Sequence, residues 1–167
     1  MELTPQQELP ESFRHAMRRM AATVSIVSTA SRGSRYGMTA TAVTSVSMDP
    51  PSLLVCVNRD ASIHDPLCES DRFCINLLSQ GQDEHCHVFS GREDGEARFD
   101  FGSWACRGEI PYLVDAQANL FCSTDKRITY GTHTIFIGLV GDARFNDGTR
   151  PLLYLDGALM AGRSHAI

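Results

Sequence analysis

In the almost uncharged run 36–47, hydroxyl side chains occupy four of the five alternate positions 39 to 47, as Thr39, Thr41, Ser45 and Ser47. In an extended segment that spacing puts them on one face with Val43, and leaves Met38, Ala40, Ala42, Thr44 and Val46 on the other. Such a wall could hydrogen-bond a ligand. Beyond the Pro50 and Pro51 corner and the apolar run 53–57 come Asn58, Arg59 and Ser62, with Asp65 three residues after Ser62 in a capping-box spacing. The free N–H groups of a helix start there, with Arg59 nearby, would suit a phosphate. A plainer reading is also open: Ser and Thr favour exposed strand faces, and Ser62 caps an ordinary helix. His133 opens a strongly apolar strand, as either a barrel-mouth residue or a participant in chemistry.

Several familiar chemistries are not written in the chain. There is no G-x-G-x-x-G after a strand, no G-x-x-x-x-G-K-[ST] and no G-x-S-x-G elbow, which argues against Rossmann, P-loop and α/β-hydrolase sites. His85, Cys86 and His87 invite a metal, but neighbours on a helix point about 100° apart and cannot converge on one ion. The six cysteines form no closely spaced pairs, and most read as small apolar core residues. A net charge of -5 offers no basic field for nucleic acid. No apolar run approaches the roughly 20 residues that span a bilayer, and the first twenty residues lack the apolar core of a secretory signal. A cytoplasmic protein is expected.

The elements that must position these residues follow from periodicity. Phe13, Ala16, Met17 and Met20 predict an amphipathic helix over 10–21 with Pro10 in its first turn. Strands are predicted over 23–29, 36–47, 53–57, 73–77, 118–123, 134–145 and 152–155, with the 53–57 run buried on both faces. Short helices are expected after Ser62 and over 83–89, and residues 90–108 read as mostly loop. Many short strands with few helices favour a mainly β barrel in one domain, 1–167.

Taken in order, the motifs resemble the flavin reductase family, including reductase components of two-component flavin monooxygenases such as 4-hydroxyphenylacetate monooxygenase. The similarity runs through Gly37, Met38, Thr39 and Ala40; Ser45, Val46 and Ser47; Pro50 and Pro51; and Cys56, Val57, Asn58 and Ser62. It continues through Phe73, Ile75, Asn76 and Leu77; Arg98 and Phe99; Gly108, Pro111 and Leu113; and His133 to Gly138. Departures are Thr132 where the family commonly has Asp, Leu139 where an acidic residue often follows, and Leu159 where Tyr is usual.

The resemblance implies a homodimeric split β-barrel with Greek-key topology and a few short peripheral helices. It implies NADH- or NADPH-dependent reduction of FMN or FAD, with the reduced flavin supplied to a partner monooxygenase. The flavin is expected against Met38, Thr39, Ala40, Thr41, Ser45, Val46 and Ser47, with Cys56, Asn58, Phe99 and Tyr154 also at the site. Ser62 and Arg98 are expected near its phosphate, and His133 beside the nicotinamide. Two other readings are a tightly bound flavin serving as an electron carrier, and a non-enzymatic flavin-binding or interaction module.

Overall fold

The computed structural model describes residues 5–92 and 95–162. Two residues of the stretch expected to be loop, Glu93 and Asp94, lie outside the described residues. After helix α1 (Pro5–Met17) come strands β1 (Ala22–Thr23), β2 (Ser25–Ser31), β3 (Ser34–Ala40), β4 (Val43–Met48) and β5 (Pro51–Asn58). Helix α2 (His64–Ser70), β6 (Arg72–Leu77) and α3 (Asp83–His87) follow, then a segment over Val88–Arg92 kinked at Gly91 and a 3-10 turn over Gly95–Asp100. The chain continues through β7 (Trp104–Arg107), β8 (Ile110–Leu113), β9 (Ala118–Tyr130), β10 (His133–Phe145), β11 (Leu152–Leu155) and β12 (Ala158–Ala161). The protein is mainly β, as the strand pattern predicts.

Seven strands form one antiparallel sheet in the order β3-β2-β6-β9-β10-β5-β4. β2 shows why the sequence settles there: its alternate residues serve two different cores. Val27 joins a cluster with Val55, Val57, Phe73 and Phe136, while Ile26 faces a second cluster built on Phe89, Phe99 and Leu113. On β10 a Cβ at Gly138 would stand 2.6 Å from the Phe73 ring, so the first core closes over a position only glycine can fill. Buried Asn76 fastens the second layer to the sheet. Its amide donates to the Ile26 carbonyl and to Ser28 Oγ, both at 2.9 Å, and its Oδ1 accepts from the Leu113 N–H at 2.8 Å and from Asn119 at 2.9 Å. A polar group fully removed from water stays only when its bonds are met in this way.

Several expectations need correction. The run 36–47 is two strands, broken at Thr41 and Ala42, where the Ala42 carbonyl accepts from the Cys56 N–H at 3.1 Å. β5 alternates rather than being buried on both faces, because Leu53, Val55 and Val57 enter the core while Leu54 and Cys56 stay half-buried. α1 begins earlier and ends at Met17, with Pro10 inside it and Leu9, Phe13 and Met17 exposed. Short strands β7, β8 and β12 were not anticipated, and β9 runs to Tyr130. Of the cysteines, Cys74, Cys86 and Cys122 are buried, Cys56 and Cys68 are half-buried and Cys106 is exposed. Burial pushes the Cys122 thiol up to about 12. No helix among the described residues is long and apolar enough to cross a membrane.

Candidate active site

The middle of β3 is shaped by an aromatic layer. A Cβ at Gly37 would stand 2.6 Å from Phe89, whose ring packs edge-on to Phe99 at 5.2 Å and tilted against Trp104 at the same distance. With no side chain in the way, the 3-10 turn comes close to the strand, and Arg98 Nη1 donates to the Gly37 carbonyl at 2.7 Å. Arg98 is only 8% exposed, so its position is fixed by packing as well as by this bond.

The facing wall is the loop after β5. Asn58 Oδ1 accepts from the Asp60 N–H at 3.0 Å, an Asx turn, and the Ala61 N–H donates to the Asn58 carbonyl at 3.0 Å. Ile63, fully buried, locks the end of this loop into the core. It also takes the N-cap position of α2, with no side-chain capping bond, so Ser62 is not the expected cap. Ser62 instead joins Arg35, Tyr36, Gly37, Gly95 and Arg98 around a cavity of about 270 Å³. Two guanidinium groups and a hydroxyl meet there, a donor set suited to a phosphate. Arg59, expected to favour a phosphate, turns away and donates to the Gly131 carbonyl at 2.9 Å.

The hydroxyl wall is only partly present. Thr39 Oγ1 donates to the Cys86 carbonyl at 2.8 Å, and Ser47 Oγ is taken up by the Asp49 backbone, so neither side chain faces a ligand freely. Ala40 is buried and Met38 packs against the first core. Thr41, Ser45 and Val46 are exposed along the break and on β4. Thr41 and Ala42 share a second, more apolar cavity of about 400 Å³ with Tyr154 of β11 and with Met17 and Arg18. Phe99 is 4% exposed and carries the Arg35 guanidinium 4.6 Å above its ring, so the structure gives it a supporting part. Cys56 is half-buried and pairs with Ile135.

His133 is exposed at the start of β10, where it pairs with Asn58 of β5 and Tyr130 of β9. Its Nδ1 lies 2.9 Å from Thr132 Oγ1, so the hydroxyl standing in the place of the usual carboxylate still gives the ring a partner. The next residue, Thr134, turns inward to meet His64 Nε2 at 2.9 Å, and His64 Nδ1 lies 3.0 Å from Asp65 Oδ1. Asp65 therefore holds a histidine, and α2 is pinned to the strand that carries His133. His85, Cys86 and His87 diverge: His85 packs edge-on to Phe101 at 4.6 Å, Cys86 is buried and His87 is exposed. Burial lowers the pKa of His85.

The structure thus brings Ser62 and Arg98 together, pairs Asn58 with His133, and puts Thr41 beside Tyr154. It turns Met38, Ala40 and Phe99 to packing. Arg35, Tyr36, Gly95 and His64 were not foreseen. The first two flank the glycine motif, which was the available signal, whereas nothing in sequence marks His64.

A family model described as "Flavin reductase like domain" matches residues 17–163. The reductase component of an FADH(2)-dependent resorcinol hydroxylase from Rhizobium sp. (strain MTP-10005) is 44% identical over 147 residues, covering 86% of this chain and 82% of its own. An FMN reductase (NADH) RutF from Pseudomonas syringae pv. syringae (strain B728a) is 40% identical, with 86% and 81% covered. Among solved structures, the NADH:FAD oxidoreductase SgcE6 of Streptomyces globisporus C-1027 superposes with a TM-score of 0.88 at 27% identity, covering 99% of each chain.

Proposed function

The chain belongs to the flavin reductase like domain family, and from that premise we propose that it is an NADH:flavin oxidoreductase. It reduces free FMN or FAD and releases the product to a partner monooxygenase, as the reductase component 44% identical to it serves a hydroxylase. The observation that carries this reading is the cavity in which buried Arg98 and exposed Ser62 face one another beside Gly37. Its charge, donors and size fit a flavin phosphate.

Arg98 and Ser62 would hold the phosphate, and the open backbone and hydroxyls at Thr41 and Ser45 would hydrogen-bond the polar edge of the isoalloxazine. Dihydronicotinamide and flavin supply the hydride chemistry between themselves, so the protein's task is to hold the two rings about 3 to 3.5 Å apart and keep water out. Thr132 Oγ1, 2.9 Å from His133 Nδ1, would orient the ring and leave Nε2 directed outward to meet the nicotinamide carboxamide. His133 therefore positions the donor and moves no proton in the hydride step. Tyr154 and Thr41 share the second cavity.

The architecture we propose is a single-domain split β-barrel of Greek-key topology, active as a homodimer in the cytoplasm. Support for the barrel comes from β3 and β4, consecutive in the chain yet at opposite ends of the strand order. Edge strand β4 exposes Val46 at 49% and Met48 at 85%, an apolar strip that a second copy would cover. Six unpaired thiols suit a reducing compartment. The test crosses NADH and NADPH with FMN, FAD and riboflavin at catalytic protein concentrations. Sustained NADH oxidation dependent on added flavin is expected, and its absence with every pair overturns the assignment.

A further inference from the structure

Arg35, the second guanidinium of this cavity, has so far been given no role distinct from that of Arg98. The two cations differ in depth. Arg98 lies inside at 8% exposure, while the Arg35 side chain stands at the rim, 33% exposed. Arg35 and Gly37 are two residues apart on β3 and so share one face, separated by about 7 Å of strand. A phosphate held at Gly37 and Arg98 would leave Arg35 one such step further along the strand. The cavity's roughly 270 Å³ leaves room for more than one phosphoryl group.

Arg35 is also held ready. Its Nε and Nη2 each reach Glu96 Oε2 at 2.8 Å, its backbone N–H donates to Oε1 at 2.5 Å, and its guanidinium plane lies over Phe99. Glu96 grips one edge of the fork without itself lining the cavity, and Arg35 Nη1 makes no hydrogen bond with the described residues. A pre-oriented guanidinium with a donor to spare, beside a buried one, matches two linked phosphoryl groups better than one.

We propose that Arg35 is the specificity-determining residue of this site, reading the second phosphoryl group of a flavin dinucleotide, so that the protein prefers FAD to FMN. The inference rests on the flavin reductase reading above. FMN and the diphosphate of FAD carry similar negative charge near neutral pH, so discrimination comes from where the charge falls: on Arg98 alone, or shared between Arg98 and Arg35.

The test measures dissociation constants for FAD, FMN and riboflavin by fluorescence quenching on the full chain and on Arg35→Gln. The wild-type protein should bind FAD more tightly than FMN, and the substitution should reduce the FAD-to-FMN affinity ratio at least tenfold. Riboflavin, lacking phosphate, reports in both proteins that the ring site is folded. A ratio that changes less than tenfold, or a wild-type preference for FMN, overturns the role of Arg35 while leaving the reductase reading intact. A wild-type protein that binds none of the three overturns both.

Discussion

Arg98 reaches across 2.7 Å to the carbonyl of Gly37, joining a 3-10 turn to the middle of a strand 61 residues earlier in sequence. The bond is possible because Phe89 fills the space where a side chain at Gly37 would stand. One arginine thereby links the aromatic layer, the sheet and the cavity shared with Ser62.

Replacing Arg98 by lysine keeps the charge but loses the planar fork. Affinity for FMN and FAD should fall on the order of tenfold or more, since both the Gly37 anchor and the charge-assisted phosphate contacts are degraded. Equilibrium titration of flavin fluorescence measures this, and unchanged affinities would remove Arg98 from the phosphate subsite.

His133 lies on the surface, held through Nδ1 by Thr132. His133→Ala should lower kcat/KM for NADH by on the order of 10²-fold through misplacement of the donor ring, with the flavin dissociation constant changed little. Steady-state kinetics alongside flavin titration separates the two effects. Equal losses in both would make the residue structural.

Four N–H···O hydrogen bonds, and the Cys74 thiol, converge on the Asn76 side chain in a fully buried position. Asn76→Leu strands the Leu113 N–H and one N–H of the Asn119 amide, whose other donor keeps the Leu113 carbonyl, and should cost about 3 kcal/mol. Urea unfolding measures the loss, and a change under about 1 kcal/mol would contradict the network's importance.

Much of this was legible in sequence and some was not, for local reasons. Strand cores show through because alternate apolar residues serve opposite layers, as Ile26 and Val27 do. The break at Thr41 and Ala42 has no Gly or Pro to announce it; it comes from pairing with β5, a contact distant in sequence. The capping-box spacing at Ser62 was overridden when Ile63 entered the core and took the cap position. β9 runs past Ser123 into a polar stretch because β10 supplies the ladder that apolar periodicity does not. Motif order led to Arg98 and Ser62, which the structure brings to one cavity. The cavity's other walls, and the turning of Thr39 toward Cys86, depend on how two layers meet.

Glu96 gives the arginine rim a pH dependence. Partial burial works to raise its carboxyl, but the side-chain and backbone hydrogen bonds from Arg35, with that arginine's charge, outweigh it and hold the group below the ordinary 4.5. A carboxylate lowered in the folded state contributes stability fully present above its unfolded value and lost as pH falls through the folded one. The stability difference between wild type and Glu96→Gln should therefore be level well above the ordinary 4.5 and shrink as pH falls below it. Since the pair is largely exposed, the difference should also weaken with salt. Denaturant midpoints across pH measure it, and a gap that widens on acidification contradicts the pairing.

The most direct measurement counts flavin reduced per protein chain, anaerobically, with NADH and flavin both in large excess. Exchange of flavin through the Arg98 and Ser62 cavity predicts reduction of the whole flavin pool, many equivalents per chain. Reduction that stops at one equivalent, or never starts, contradicts the account.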